Sequence, residues 1–158
     1  MAGYSHIGVA THDMDLTIEF YTNKLGFKRA ADQRTIIEQG GVLRQVYIEI
    51  GKDEFLVFME PKDVAGIPSS FPTGINEALG TPAGMYHLAF KVDTLEALSD
   101  RRDQLRKVGL EVSDCIDLGH AQSIFLADPN GLQIEFCCHT RAFTPDDLNK
   151  VDEASIAN

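Results

Sequence analysis

One order of elements, strand-helix-strand-strand-strand, can be read twice along this chain, and that repetition constrains the fold more than any single residue does. The first copy opens on the alternating run Tyr4-Ser-His-Ile-Gly-Val-Ala, in which His6 lies 20 residues before Gly26. The second opens on Met85-Tyr-His-Leu-Ala-Phe-Lys-Val, in which His87 lies 22 residues before Gly109. Each glycine ends an amphipathic helix, because it takes the left-handed conformation that closes a helical C-terminus. The first helix is expected from the N-cap Asp13 through Leu25, with Leu16, Phe20 and Leu25 apolar. The second is expected from Asp93-Thr94-Leu-Glu96, which resembles a capping box, to Val108, with Leu95, Leu98, Leu105 and Val108 inward.

Three strands are expected after each helix. In the first copy these are Phe27 to about Gln39, Leu43–Ile50 and Phe55–Met59. Gly40-Gly41 and Gly51-Lys52-Asp53 form the turns between them. In Leu43–Ile50, Val46, Ile48 and Ile50 share one face, while Gln45, Tyr47 and Glu49 share the other. In the second copy the strands are Leu110–Cys115, Ala121–Leu126 and Leu132–Cys138. Between the copies, residues 61–84 hold four of the six prolines and four glycines. They read as a long linker with a short helix at Ile75–Leu79; such loops serve as functional lids in some proteins and more often as plain connectors. The expected organisation is α+β and a single domain over 1–158. Its parts are two βαβββ modules (about 4–60 and 85–140), the linker 61–84 and an acidic tail 141–158. Within that tail, Thr144-Pro145-Asp146-Asp147 carries the N-cap, N1 proline and early acids of one more short helix.

The last strand carries the chemistry. Asp128-Pro-Asn-Gly is a tight turn, and after it Gln133, Glu135 and Cys137 share one face. A carboxylate in the middle of an apolar strand is costly to bury unless something pairs with it. His6 and His87 supply partners on two other strands. Two histidines and one carboxylate on three strands make the ligand set of a facial metal site with open positions. Any one of these histidines alone would more often be an ordinary core residue, so the weight rests on the three together. The formal charge of −10 disfavours nucleic acid and anionic membranes as partners. No charged leader and no apolar run of roughly 18 residues is present, so neither a secretory signal nor a membrane span is expected. The three cysteines, two of them adjacent, fit reduced thiols in a cytoplasmic protein.

These features resemble the vicinal oxygen chelate superfamily, which includes glyoxalase I, methylmalonyl-CoA epimerase, extradiol dioxygenases and bleomycin or fosfomycin resistance proteins. The resemblance rests on the paired modules and on Phe20-Tyr21 with Leu25-Gly26-Phe27. It rests also on Asp128-Pro-Asn-Gly followed by Glu135, and spans about residues 4–140. It implies a curved mixed sheet forming a cup around a divalent metal held by His6, His87 and Glu135. A fourth ligand, as in glyoxalase I and the epimerase, would fall at Val57, with Glu60 out of phase and facing away. Three ligands suit Fe(II), or Mn(II), and therefore an extradiol-like dioxygenase acting on a small aromatic with vicinal oxygens. The resemblance then implies an acid/base role for His120, with Tyr47 supplying a phenol where such enzymes carry a tyrosine and this chain has Phe125. The alternatives are a glyoxalase- or epimerase-like lyase or isomerase on Ni(II) or Zn(II), with Glu49 as base, and a ligand-sequestering resistance-type protein. The resemblance also implies a homodimer with a small-molecule ligand.

Overall fold

The computed structural model describes residues 4–151. Its elements run β1 (His6–Ala10), α1 (Met14–Ile18, continuing as a π-helix over Glu19–Lys24), β2 (Lys28–Ile36), β3 (Val42–Gly51), β4 (Glu54–Lys62) and α2 (Ile75–Leu79). The second half adds β5 (His87–Lys91), α3 (Leu95–Lys107), β6 (Ile116–Asp117), β7 (Ala121–Ala127), β8 (Gln133–His139) and a 3-10 turn at Pro145–Asp147. The strands form two four-stranded sheets ordered β1-β4-β3-β2 and β5-β8-β7-β6. In each sheet the first strand lies parallel to the fourth and every other pairing is antiparallel. The repeat is therefore a structural duplication, and the fold is α+β with two modules.

Local chemistry sets the element ends. Asp13 accepts a hydrogen bond from the Leu16 amide and Thr94 one from the Ala97 amide, so each helix starts on a side-chain cap. Gly26 and Gly109 close them at φ +73° and +82°. The alternation of β3 buries Val46 and Ile48 completely and leaves Tyr47 half-buried on the opposite face. One core joins both modules: Tyr21, Leu25, Ile48 and Phe58 from the first pack in the same cluster as Leu98, Leu105, Ile134 and Phe136 from the second.

Four expectations change. The segment Leu110–Cys115 is not a strand, and only Ile116–Asp117 pairs with β7. The Phe125 amide takes the Ser113 hydroxyl at 2.9 Å in place of a backbone carbonyl, so a side chain interrupts the ladder there. The last turns of the first helix widen into a π-helix, with the Leu25 amide reaching back to the Phe20 carbonyl. Strand β4 also runs on through Pro61 to Lys62. Pro61 is tolerated because the β1 partner ends opposite Met59, leaving no neighbour on that side to receive an amide proton. Of the four inward positions expected in α3, Leu98 and Leu105 are buried while Leu95 and Val108 are exposed at its ends.

The linker is ordered by hydrogen bonds. Asn76, buried in α2, bonds both the amide and the carbonyl of Tyr86 and so ties the linker to the start of β5. His12 Nε2 lies 2.6 Å from the Phe71 carbonyl, and Thr73 donates to the Asn130 carbonyl. These contacts make the segment a strap across the molecule. No helix among the described residues is long and apolar enough to cross a membrane.

Candidate metal centre

His87 opens β5, and Glu135 sits in β8, the parallel neighbour of β5, opposite Ala89. Both side chains project from the same face of that sheet, and His87 Nε2 lies 3.1 Å from Glu135 Oε2. The other ring nitrogen of His87, Nδ1, lies 2.7 Å from the Gly84 carbonyl oxygen. A carbonyl only accepts, so Nδ1 carries a proton, and a ring with no second proton presents its Nε2 lone pair to the carboxylate. Two acceptors then face one another, an arrangement that needs a cation between them or a second proton on the ring. Glu135 is 5% exposed, and its second oxygen, Oε1, accepts a hydrogen bond from the fully buried Ser123 hydroxyl. The fixed tautomer of the histidine and the anchored carboxylate are the supports that metal ligands characteristically have.

As a pair, His87 and Glu135 therefore fit a divalent cation. His6 is not with them. It lies exposed at the start of β1, with Nδ1 3.3 Å from the Ser5 hydroxyl and its ring 6.5 Å from that of Tyr47. Among the described residues no three His, Cys, Asp or Glu side chains converge on one point. Tyr47 shares its sheet face with Phe55, whose ring is 6.1 Å away, and with Val57. Val57 is nearly fully buried at the position of an expected fourth ligand. Glu60 turns to the other face, where its carboxylate accepts the Met14 amide at the start of α1.

His120 precedes β7 and packs its ring 4.7 Å from Phe143 and 5.8 Å from His139. Phe125, the β7 residue opposite Glu135, is five positions further on, roughly 17 Å along an extended strand. The structure thus separates His120 and Tyr47 from the His87–Glu135 pair. Two supports of that pair were missed in the sequence, Ser123 and the Gly84 carbonyl. Ser123 had a detectable signal: it is the polar residue that shares a strand face with Phe125, in register with Cys137. Cys137 follows Glu135 on the same face, and burial pushes its thiol up, so it stands there as a neutral thiol.

Comparison with known proteins bears on the family and the fold. A curated relative, biphenyl-2,3-diol 1,2-dioxygenase 2 of Rhodococcus globerulus, is 36% identical over 64 residues, which is 40% of this chain and 34% of that protein. The match thus spans about a third of the relative. Among solved structures, TnmS3, an antibiotic binding protein from Streptomyces sp. CB03234, superposes with TM-score 0.60 at 19% identity, covering 89% of this chain and 98% of TnmS3. Lactoylglutathione lyase from Agrobacterium tumefaciens superposes with TM-score 0.59 at 16% identity, covering 87% and 92%. At such identities these two report the fold alone. The family profile described as Glyoxalase/Bleomycin resistance protein/Dioxygenase superfamily matches residues 3–136, nearly the whole of both modules, and the chain belongs to that superfamily.

Proposed function

We propose that this chain is a divalent-metal-dependent enzyme of the extradiol-dioxygenase type, acting on a small aromatic substrate with vicinal oxygens. The observation that carries the reading is the meeting of His87 Nε2 and Glu135 Oε2, with the histidine proton committed to the Gly84 carbonyl. His6 is the third ligand in this reading. It reaches the pair from the second copy of a homodimer, because the two modules of one chain already share a core that leaves His6 apart from the pair. A bound Fe(II), or Mn(II), would supply Lewis-acid chemistry, lowering the pKa of a vicinal diol and orienting it. Glu135, held by Ser123, and His87, held by Gly84, keep their donor atoms fixed. Tyr47 and Phe55 form an aromatic wall beside His6. His120 precedes β7 in the same sheet as the pair, five positions along the chain from Phe125, so this reading gives it no proton-transfer role at the pair.

The lyase or isomerase alternative is weakened by two details. Val57 offers no fourth ligand, and Glu49, its candidate base, pairs with Lys28 at 3.4 Å. The reading places the protein in the cytoplasm, where its three free cysteines stay reduced.

The test is elemental analysis of protein purified anaerobically, beside Glu135→Gln. Near one Fe or Mn per chain is expected, falling at least tenfold in the variant. Oxygen uptake with biphenyl-2,3-diol should then match ring opening one for one and vanish in Glu135→Gln. Nickel or zinc with turnover in the absence of O₂ would transfer the assignment to the lyase or isomerase class. Metal-free protein that binds ligand without turnover would transfer it to a sequestering protein.

A further inference from the structure

A cavity of about 820 Å³ opens between the two modules, a volume in the range of small-molecule sites. Phe27, Phe55, Phe90 and Phe136 contribute to its wall, with Arg101 of α3. Three of the rings stack in a row behind the cavity, Phe27 5.0 Å from Phe90 and Phe90 5.5 Å from Phe136, the last two nearly fully buried. The Arg101 guanidinium stacks on the end of this row, 4.7 Å above the Phe136 ring. Phe136 points to the opposite face of β8 from Glu135, while His87, on the edge strand β5, also lines the cavity, so the guanidinium and the candidate metal ligand His87 border one space.

Arg101 is half-buried and under-used. Among the described residues it makes one hydrogen bond, from Nη2 to the Leu25 carbonyl, and no ion pair. A guanidinium carries five N–H donors, and the remaining four have no acceptor among the described residues. The other charged residues lining the cavity do not compensate it. Lys91 pairs with Asp93 at 3.5 Å, and neither Asp93 nor Glu54 pairs with Arg101. Burial pulls its pKa down with no neighbouring carboxylate to oppose it. Leaving a partly desolvated cation without a counter-charge is costly, and a fork of planar donors is matched by a carboxylate.

We propose that this inter-module cavity is a binding site for a small aromatic carboxylate, its ring against the half-buried Phe27 and Phe55 and its carboxylate on the Arg101 fork. The site goes beyond the metal reading and needs no metal. The Leu25 contact alone, a cation at a helix C-terminus, accounts for one of the five donors and for none of the cavity.

Titration calorimetry on the full metal-free chain tests this with 1-naphthoate and its neutral analogue 1-naphthylmethanol. Wild type is expected to bind the naphthoate at least tenfold more tightly than the alcohol. Arg101→Gln should abolish that preference and leave alcohol affinity within about twofold, while Arg101→Lys, which keeps a cation, should retain part of it. Ala97→Phe, which fills the rim of the cavity from α3, should weaken both ligands at least tenfold and locates the site without touching Arg101. No naphthoate binding by wild type, equal binding of the two ligands, or a preference surviving in folded Arg101→Gln would overturn the proposal. Should Arg101→Gln fail to fold, undiminished naphthoate binding by Ala97→Phe would overturn it equally.

Discussion

Ser123 shows how one small residue can set a site. Its hydroxyl is fully buried, and Glu135 Oε1 is the acceptor it meets, so it fixes which carboxylate oxygen faces His87. Ser123→Ala should leave the fold intact and weaken metal binding by roughly 10–100-fold, the usual cost of losing such an outer contact. Competition against a fluorescent chelator measures this, and Ser123→Thr, which keeps the hydroxyl, should restore most of the affinity. An unchanged affinity in Ser123→Ala would mean that the carboxylate needs no anchor. At this scale the sequence was informative about residue type and phase. Glu135 was readable as a carboxylate out of place in an apolar strand, and His87 as the polar residue at the head of its module. The tautomer that makes His87 an acceptor was not readable, because it depends on the Gly84 carbonyl in a turn whose path no side-chain pattern encodes. The position of His6 relative to the pair was equally out of reach, since it depends on how the modules meet.

Elements were legible where local chemistry alone decides them. Period-two alternation located β3 and β8, the side-chain caps located α1 and α3, and positive-φ glycines ended both. The failures came where a tertiary contact competes with local preference. Ser113 replaces a ladder bond and dissolves the strand expected at 110–115, and the open edge past Met59 lets β4 continue through a proline. The Asp128-Pro-Asn-Gly turn combines both kinds of control. Gly131 sits at φ +78°, and a Cβ there would lie 3.2 Å from the Gly74 Cα in the linker. Gly131→Ala should therefore cost about 2 kcal/mol, from backbone strain plus a contact with unyielding main chain. Gly109→Ala, at φ +82° with open space around it, should cost about 1 kcal/mol. Thermal melts should place Gly131→Ala below Gly109→Ala, and the reverse order would show that the linker yields at Gly74.

The two modules act as one body because a polar latch closes over their shared core. Tyr21, in the first helix, donates its hydroxyl to Asp128 Oδ2 at 3.0 Å across 107 residues of chain, and Asn130 reaches Thr17 of the same helix at 3.2 Å. Both motifs stood out in the sequence, the Phe-Tyr pair and the Asp-Pro-Asn-Gly turn. That one locks the other was not legible, because contacts of such separation leave no periodic trace. Burial pushes the Asp128 carboxyl up, while hydrogen bonds from Leu132, Asn130 and Tyr21 pull it back down. A carboxyl raised in the folded state adds most stability when protonated, below its unfolded pKa of about 3.9. That contribution fades as pH rises through the folded value. Tyr21→Phe removes one of the bonds that favour the charged form, so it raises the Asp128 pKa further. The variant should be about 1–2 kcal/mol less stable than wild type near neutral pH. Its deficit should shrink as pH falls through the raised folded value of Asp128, above the ordinary carboxylate range, below which Asp128 is protonated in both proteins and only a neutral hydrogen bond is missing. Urea unfolding at several pH values measures the difference directly. A deficit independent of pH would mean that the Tyr21 hydroxyl does not stabilise the Asp128 carboxylate.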